Sequence, residues 1–169
     1  GRYALRSDIL LRSFSHQDID ISDGGALLRL FQSSKPWAVI NCSAYNAVDA
    51  AEAEPEKAFA TNATALILLA AHSAKAGSLL VHFSTDYVFD GNSTEPYKED
   101  SPPSPLNFYG LSKLSGEQVV RLLHSRHCLI RTCGVYGRHR SPGGKRNFID
   151  SILAQAREGR TPHVVSDLK

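Results

Sequence analysis

Three short apolar runs, separated by segments of helical character, constrain the fold of this chain more than any other feature. The runs are residues 37–42 (WAVINC), 79–84 (LLVHFS) and 128–132 (CLIRT). Near-continuous apolar runs of this length are typical of strands in a parallel sheet with both faces covered. Residues 8–12 (DILLR) are predicted to form another buried strand, and His163–Val165 a last short one.

Helical segments fill the intervals between these runs. Ser22 or Asp23 can cap the first helix, Pro55 suits the first turn of the longest one, and Gly77 suits its end. The helices are predicted over residues 23–33, 55–76, 107–124 and 147–158. Strands that alternate with helices predict an α/β protein with a Rossmann-type, doubly wound parallel sheet.

Composition narrows the class of protein further. The net charge is +2 and no long basic run is present, so nothing favours a nucleic-acid partner. The three cysteines have no metal-ligand spacing, which predicts reduced thiols, a cytoplasmic location and no metal site. The longest apolar stretch, around Ala63–Ala71, is too short for a membrane span.

Tyr109 and Lys113 carry the clearest chemical signal. They are four residues apart in a predicted helix, so their side chains share one face. A neighbouring ammonium favours the phenolate, which predicts a lowered pKa for Tyr109 and a role in proton transfer to a substrate oxygen. Thr85, at the end of a strand, can hydrogen-bond the same oxygen.

The Tyr/Lys spacing alone is weak, since helices contain many such pairs. The order of the surrounding elements is more specific. A strand that ends in Ser-Thr-Asp-Tyr is followed by an acidic, Pro-rich loop and then by Asn-Phe-Tyr-Gly-x-x-Lys. This order predicts a carbonyl-reducing site.

The motifs resemble those of the extended short-chain dehydrogenases/reductases, and within them the dTDP-4-dehydrorhamnose reductase family. The matching segments cover most of residues 19–137: IDISD, VINCSAYNAVDAAEAEPEKAFATNA, HFSTDYVFDG, PYKEDSPPSPLNFYGLSKLSGEQ and LIRTCGVYG. The resemblance implies NAD(P)H-dependent reduction of a nucleotide-linked 4-keto-6-deoxy sugar, as in rhamnose biosynthesis. NADPH and NADH both remain open, although Arg12 is placed to meet a 2′-phosphate.

The resemblance also implies roles for individual residues. Tyr109 would protonate the reduced oxygen, Lys113 would hold the nicotinamide ribose, and Thr85 would bind the carbonyl. Asp86 and Gly134 would lie on the substrate side with Thr85, and Gly134 stands where relatives often carry a Trp. The implied cofactor contacts are Asp20, Ile21, Ala44, Tyr45, Asn46, Phe83, Tyr109 and Lys113.

One hallmark of the Rossmann fold is missing from the sequence. No Gly-rich phosphate-binding turn is present, and the chain begins at Gly1 and contains no Met. We therefore expect a piece of a longer protein, with the first strand and glycine turn outside it. Residues 1–137 would be a partial NAD(P)-binding domain, and residues 138–169 the start of a substrate-binding region.

Other interpretations stay open. The regulatory β subunit of methionine adenosyltransferase shares the fold and similar Tyr and Lys segments, so a non-catalytic, NADP-binding subunit is the alternative. A chain without the glycine turn is also expected to be marginally stable and inactive by itself. A homodimer is a further open alternative.

Overall fold

A three-stranded parallel sheet forms the centre of the computed structural model, which describes residues 9–135 and 148–161. Its strands are β1 (Ala38–Asn41), β2 (Leu79–Thr85) and β3 (His127–Thr132), in the order β1-β2-β3. Both pairings are parallel, with Val39 opposite Leu80 and Thr85 opposite Thr132. The three apolar runs are thus strands, and the α/β, Rossmann-type fold class is confirmed.

Helical segments connect the strands. The first, α1, begins directly after Asp23, whose carboxylate accepts a hydrogen bond from the Ala26 amide. The chain leaves the helix Ala65–Lys75 through Gly77, which has a φ of 67°. The elements are α1 (Gly24–Ser34), α2 (Val48–Ala53), α3 (Pro55–Phe59), a π-helical turn (Ala60–Thr64), α4 (Ala65–Lys75), a 3-10 turn (Asp86–Val88), α5 (Phe108–Leu123) and α6 (Phe148–Arg157).

The core lies between one face of the sheet and helices α1, α4 and α5. Its buried members are Leu27, Phe31, Leu66, Leu69, Ala70, Leu80 and Val120. Val39 and Leu129 pack against this cluster from the outer strands. Because side chains alternate along a strand, the adjacent residues Ile40 and Ile130 point to the opposite face, where both are exposed.

Two predicted elements differ from the structure. Ile9–Arg12 is not a strand, and Leu10 in it is 82% exposed. An apolar run forms a strand only where a neighbouring strand pairs with it, and no strand of the described sheet does so. The helix predicted over 55–76 is interrupted by the π-helical turn at Ala60–Thr64, which contains Asn62.

Some predictions fall on residues outside the described ranges. These are residues 138–147, with which the predicted substrate-binding region begins, and the strand predicted at 163–165. Within the described ranges, no helix is long and apolar enough to cross a membrane.

Candidate active site

The carboxyl end of β2 supplies the first part of the site. Thr85 is the last residue of the strand and is buried, whereas Asp86 is exposed. The Thr85 hydroxyl donates to Asp86 Oδ1 at 3.0 Å and accepts from the Tyr87 amide at 3.2 Å. This local turn fixes the hydroxyl at the sheet edge where parallel α/β proteins bind their ligands.

Helix α5 brings the second part of the site to this edge. Asn107 caps the helix by accepting from the Gly110 amide at 2.7 Å, and Glu52 of α2 accepts from the Phe108 amide at 2.8 Å. A Cβ at Gly110 would overlap the Tyr87 carbonyl oxygen, so only glycine lets the helix start so close to the end of β2. Tyr109 therefore lies beside Tyr87, with the rings edge to face at 5.7 Å.

Lys113 is buried one turn further along α5. Its Nζ donates to the Phe83 carbonyl oxygen at 2.6 Å, and only 2% of the residue is exposed. Burial lowers the pKa of Lys113 to about 8, against the opposing effect of the Glu117 carboxylate. Lys113 therefore remains mostly an ammonium at neutral pH.

The predicted lowering of the pKa of Tyr109 is wrong for this structure. Burial raises the pKa of Tyr109, and hydrogen bonding with Thr85 opposes that rise. The nearby Asp86 carboxylate also raises it. The Lys113 ammonium is engaged with the Phe83 carbonyl, so Tyr109 holds its proton at neutral pH.

Asn62 links the loop after β1 to helix α5. Its Oδ1 accepts from the Tyr45 amide, and its Nδ2 donates to the Tyr45 carbonyl at 3.0 Å and to Ser112 Oγ at 2.9 Å. These bonds account for the π-helical turn, since a regular helix would rotate the side chain away from them. They hold the backbone of Tyr45, while its neighbours Ala44 and Asn46 stay exposed.

The remaining predicted residues lie in separate places. Asp20 accepts hydrogen bonds from the amide and hydroxyl of Ser22, and Ile21 packs on the core. Gly134 is exposed beyond β3, and no atom of the described residues lies within 4 Å of where its side chain would begin. Arg12 is exposed in the unpaired segment. Thr85, Asp86, Phe83, Tyr109 and Lys113 are the predicted residues that the structure brings together.

Sequence reasoning missed an ion pair next to Lys113. Glu117 is fully buried and receives two hydrogen bonds from Arg131, at 2.9 Å and 2.7 Å. The four-residue repeat of Tyr109, Lys113 and Glu117 was the available signal, because it places all three on one face of α5.

His82 is a packed residue, as its position in an apolar strand predicts. Its Nδ1 accepts from Asn41 Nδ2 at 3.0 Å. Burial, helped by the Lys113 ammonium, lowers the pKa of His82 from 6.5 to about 4. The ring is neutral at physiological pH.

The low pKa of His82 makes the fold sensitive to acid. Between pH 6.5 and 4 the unfolded chain binds a proton at this position and the folded chain does not, so stability falls as the pH falls. We expect a loss of about 3 kcal/mol from this residue across that window. Urea unfolding of the wild type and of His82→Asn, which keeps an acceptor for Asn41, measures it. An equally steep acid loss in the variant would contradict the prediction.

The parallel sheet, with a Tyr/Lys pair at the carboxyl end of its central strand, is the arrangement of a Rossmann-type α/β protein. Residues 2–169 match the family described as the RmlD substrate binding domain. The chain therefore belongs to this family, and the resemblance drawn from its motifs is confirmed.

Several relatives with known names are similar to the chain. A dTDP-4-dehydrorhamnose reductase of Burkholderia thailandensis is 39% identical, over 90% of this chain and 50% of the relative. A spore coat polysaccharide biosynthesis protein, SpsK, of Bacillus subtilis is 38% identical, over 88% of this chain and 51% of the relative. The chain thus spans about half the length of the curated relatives that it matches.

Solved structures agree with this family. A dTDP-4-dehydrorhamnose reductase from Clostridium acetobutylicum has a TM-score of 0.85 at 32% identity, covering 93% of this chain and 54% of the other. The enzyme of that name from Bacillus anthracis, solved in complex with NADP, has a TM-score of 0.80 at 36% identity. The match covers 86% of this chain and 50% of the other.

Proposed function

We propose that this chain forms part of an NAD(P)H-dependent reductase of a nucleotide-linked 4-keto-6-deoxy sugar, of the dTDP-4-dehydrorhamnose reductase type. The observation that carries the proposal is the convergence of Thr85, Tyr109 and Lys113 at the carboxyl end of β2. The similarity to named dTDP-4-dehydrorhamnose reductases, one of them in complex with NADP, supports the substrate class and the cofactor.

The residues present fit a nicotinamide cofactor. The Lys113 ammonium donates one of its three hydrogens to the Phe83 carbonyl oxygen, which leaves donor capacity for a ribose hydroxyl. The exposed Ala44 and Asn46 flank a backbone held by Asn62, so this loop offers a fixed and open surface for the cofactor. Asp20, Ile21 and Phe83 are assigned to the cofactor by the family resemblance.

The chemistry divides between cofactor and protein. A bound nicotinamide would supply the hydride that reduces the sugar ketone. Thr85 orients the carbonyl by donating its hydroxyl hydrogen to the oxygen, once that hydrogen turns away from Asp86 Oδ1. Tyr109, whose raised pKa keeps it protonated, donates the proton as that oxygen becomes an alkoxide. The Lys113 ammonium, which donates to the Phe83 carbonyl, would hold the nicotinamide ribose and adds a positive charge to the site.

The substrate side of the site is assigned to Asp86 and Gly134. The Asp86 carboxylate is exposed and can accept from a sugar hydroxyl, and Gly134, beyond β3, has no described atom within 4 Å of where a side chain would begin. In this proposal residues 1–137 belong to the cofactor-binding part and residues 138–169 begin the substrate-binding part. The exposed, unpaired Cys42, Cys128 and Cys133 suit a reducing compartment, which supports the cytoplasm.

A cofactor and turnover assay tests the proposal. The protein that carries this chain is titrated with NADPH and with NADH, followed by nicotinamide fluorescence, and is then given dTDP-4-dehydrorhamnose. We expect saturable binding and oxidation of the cofactor that depends on the sugar. Binding without oxidation, together with a stoichiometric protein partner in a pull-down, would overturn the reductase and favour the regulatory-subunit alternative.

A further inference from the structure

The face of α5 that carries Tyr109 and Lys113 continues as a buried charged stripe. Glu117 lies one turn beyond Lys113 and is 0% exposed, while Lys113 is 2% exposed. Arg121, another turn on, approaches Glu117 Oε2 at 3.7 Å from a half-exposed position. A lysine and a glutamate buried on consecutive turns are costly unless each is compensated, so their placement requires an explanation.

Arg131 of β3 clamps Glu117 in one orientation. Its Nε and Nη2 donate to the two carboxylate oxygens at 2.9 Å and 2.7 Å, and its guanidinium also lies over the Phe89 ring at 4.9 Å. Such a two-bond pair fixes direction as well as distance. Arg131 is opposite Ser84 in the sheet, one residue before Thr85. The clamp therefore fixes the rotation of α5 relative to the strand end that carries Thr85.

Glu117 is also the anion that acts on Lys113. The groups that face Lys113 are the neutral His82 and the Phe83 carbonyl from β2, Tyr109 and Glu117 from α5, and Arg131 from β3 beyond Glu117. Burial alone would raise the pKa of Glu117, but the hydrogen bonds from Arg131 hold it below its usual value. The carboxylate is therefore charged at neutral pH, and it opposes the lowering of the Lys113 pKa by burial.

We propose that Glu117, held by Arg131, is a positioning residue that keeps Lys113 protonated and keeps the Tyr109/Lys113 face of α5 turned to the end of β2. This inference deepens the proposed function, since the part that Lys113 plays in turnover rests on it. The charge state of Lys113 can be measured without cofactor or substrate, so the clamp and the reductase activity are tested separately.

Lysine NMR on the full chain measures this effect. The side chains are labelled with ¹³C, the Lys113 signal is identified by its loss in Lys113→Arg, and its pKa is compared in the wild type and in Glu117→Gln. The variant removes the anion and leaves Arg131 as a lone cation, so we expect the pKa of Lys113 to fall by roughly one unit or more. Glu52→Gln is the matched control, because it removes an exposed carboxylate that also contacts α5. In Glu52→Gln we expect the pKa of Lys113 to stay at the wild-type value.

A second variant keeps the test decisive if the single variant does not fold. Glu117→Gln with Arg131→Gln removes both charges of the ion pair, so neither of these two residues is left without its partner, and the Lys113 pKa still falls, by less. An unchanged pKa in a folded variant, or an equal fall in Glu52→Gln, overturns the proposal. A lowered pKa in a protein that shows no reductase activity leaves the clamp standing and refutes the proposed function instead.

Discussion

Replacing Tyr109 by Phe is expected to lower the turnover of the proposed reductase by ~10²–10⁴-fold, the range that a positioned general acid contributes. The variant loses only the hydroxyl, and the ring can keep its edge-to-face contact with Tyr87. The raised pKa of Tyr109 means that the wild-type residue carries its proton before the reaction. Steady-state kinetics in the protein that carries this chain give kcat and KM. We expect the loss in kcat, with KM much less affected.

Tyr97→Phe is the matched control for this prediction. The Tyr97 hydroxyl donates to Asp90 at 2.6 Å, and its ring stacks on Phe89 in the loop after β2. The same atom is removed, but from a residue with no part in the proposed chemistry. We expect its kcat to stay within about twofold of the wild type, as for substitutions away from a site. A Tyr109→Phe enzyme as active as Tyr97→Phe would show that another group delivers the proton.

The strands of the sheet are predicted well because the signal for each one, a short apolar run, is local in the sequence. The runs at 37–42, 79–84 and 128–132 differ by at most one residue at either end from the observed strands. Asn107 likewise marks the start of α5, since its side chain caps the helix. The same kind of signal misleads at 8–12, where an apolar run has no strand to pair with in the described sheet. A run of hydrophobic residues indicates burial but does not identify the partner.

The sequence predicts that Thr85, Tyr109 and Lys113 come together, but it does not predict the electrostatics around them. Tyr109 and Lys113 do share a helix face, as their spacing requires. The partner of Lys113, however, is the Phe83 carbonyl, and the partner of Glu117 is Arg131, fourteen residues away. Both depend on how α5 packs against β2 and β3, so no local pattern contains them. The π-helical turn at Asn62 has the same origin, because its hydrogen bonds reach Tyr45 and Ser112.

Gly116→Ala is expected to be strongly destabilising although it adds a single methyl group. A Cβ at Gly116 would overlap the Asn62 carbonyl oxygen and lie 2.8 Å from Leu66 Cδ1. A backbone carbonyl cannot move aside as a flexible side chain can, so α5 must shift away from the helical segment that contains Asn62. We expect a loss of about 3 kcal/mol in the free energy of unfolding, at the upper end for overpacking. Urea unfolding followed by circular dichroism measures this loss.

Gly24→Ala separates this steric effect from the general effect of adding a methyl group to a helix. Gly24 is also helical, but its Cβ would meet Leu68 at 3.5 Å, an ordinary contact distance. Alanine favours a helix over glycine, so we expect this control to be neutral or slightly stabilised. The shift caused by Gly116→Ala also moves Ser112 from Asn62, and Lys113 moves with it. A Gly116→Ala variant as stable as Gly24→Ala would mean that α5 can slide without cost, and the close approach would then not be what positions Tyr109 and Lys113.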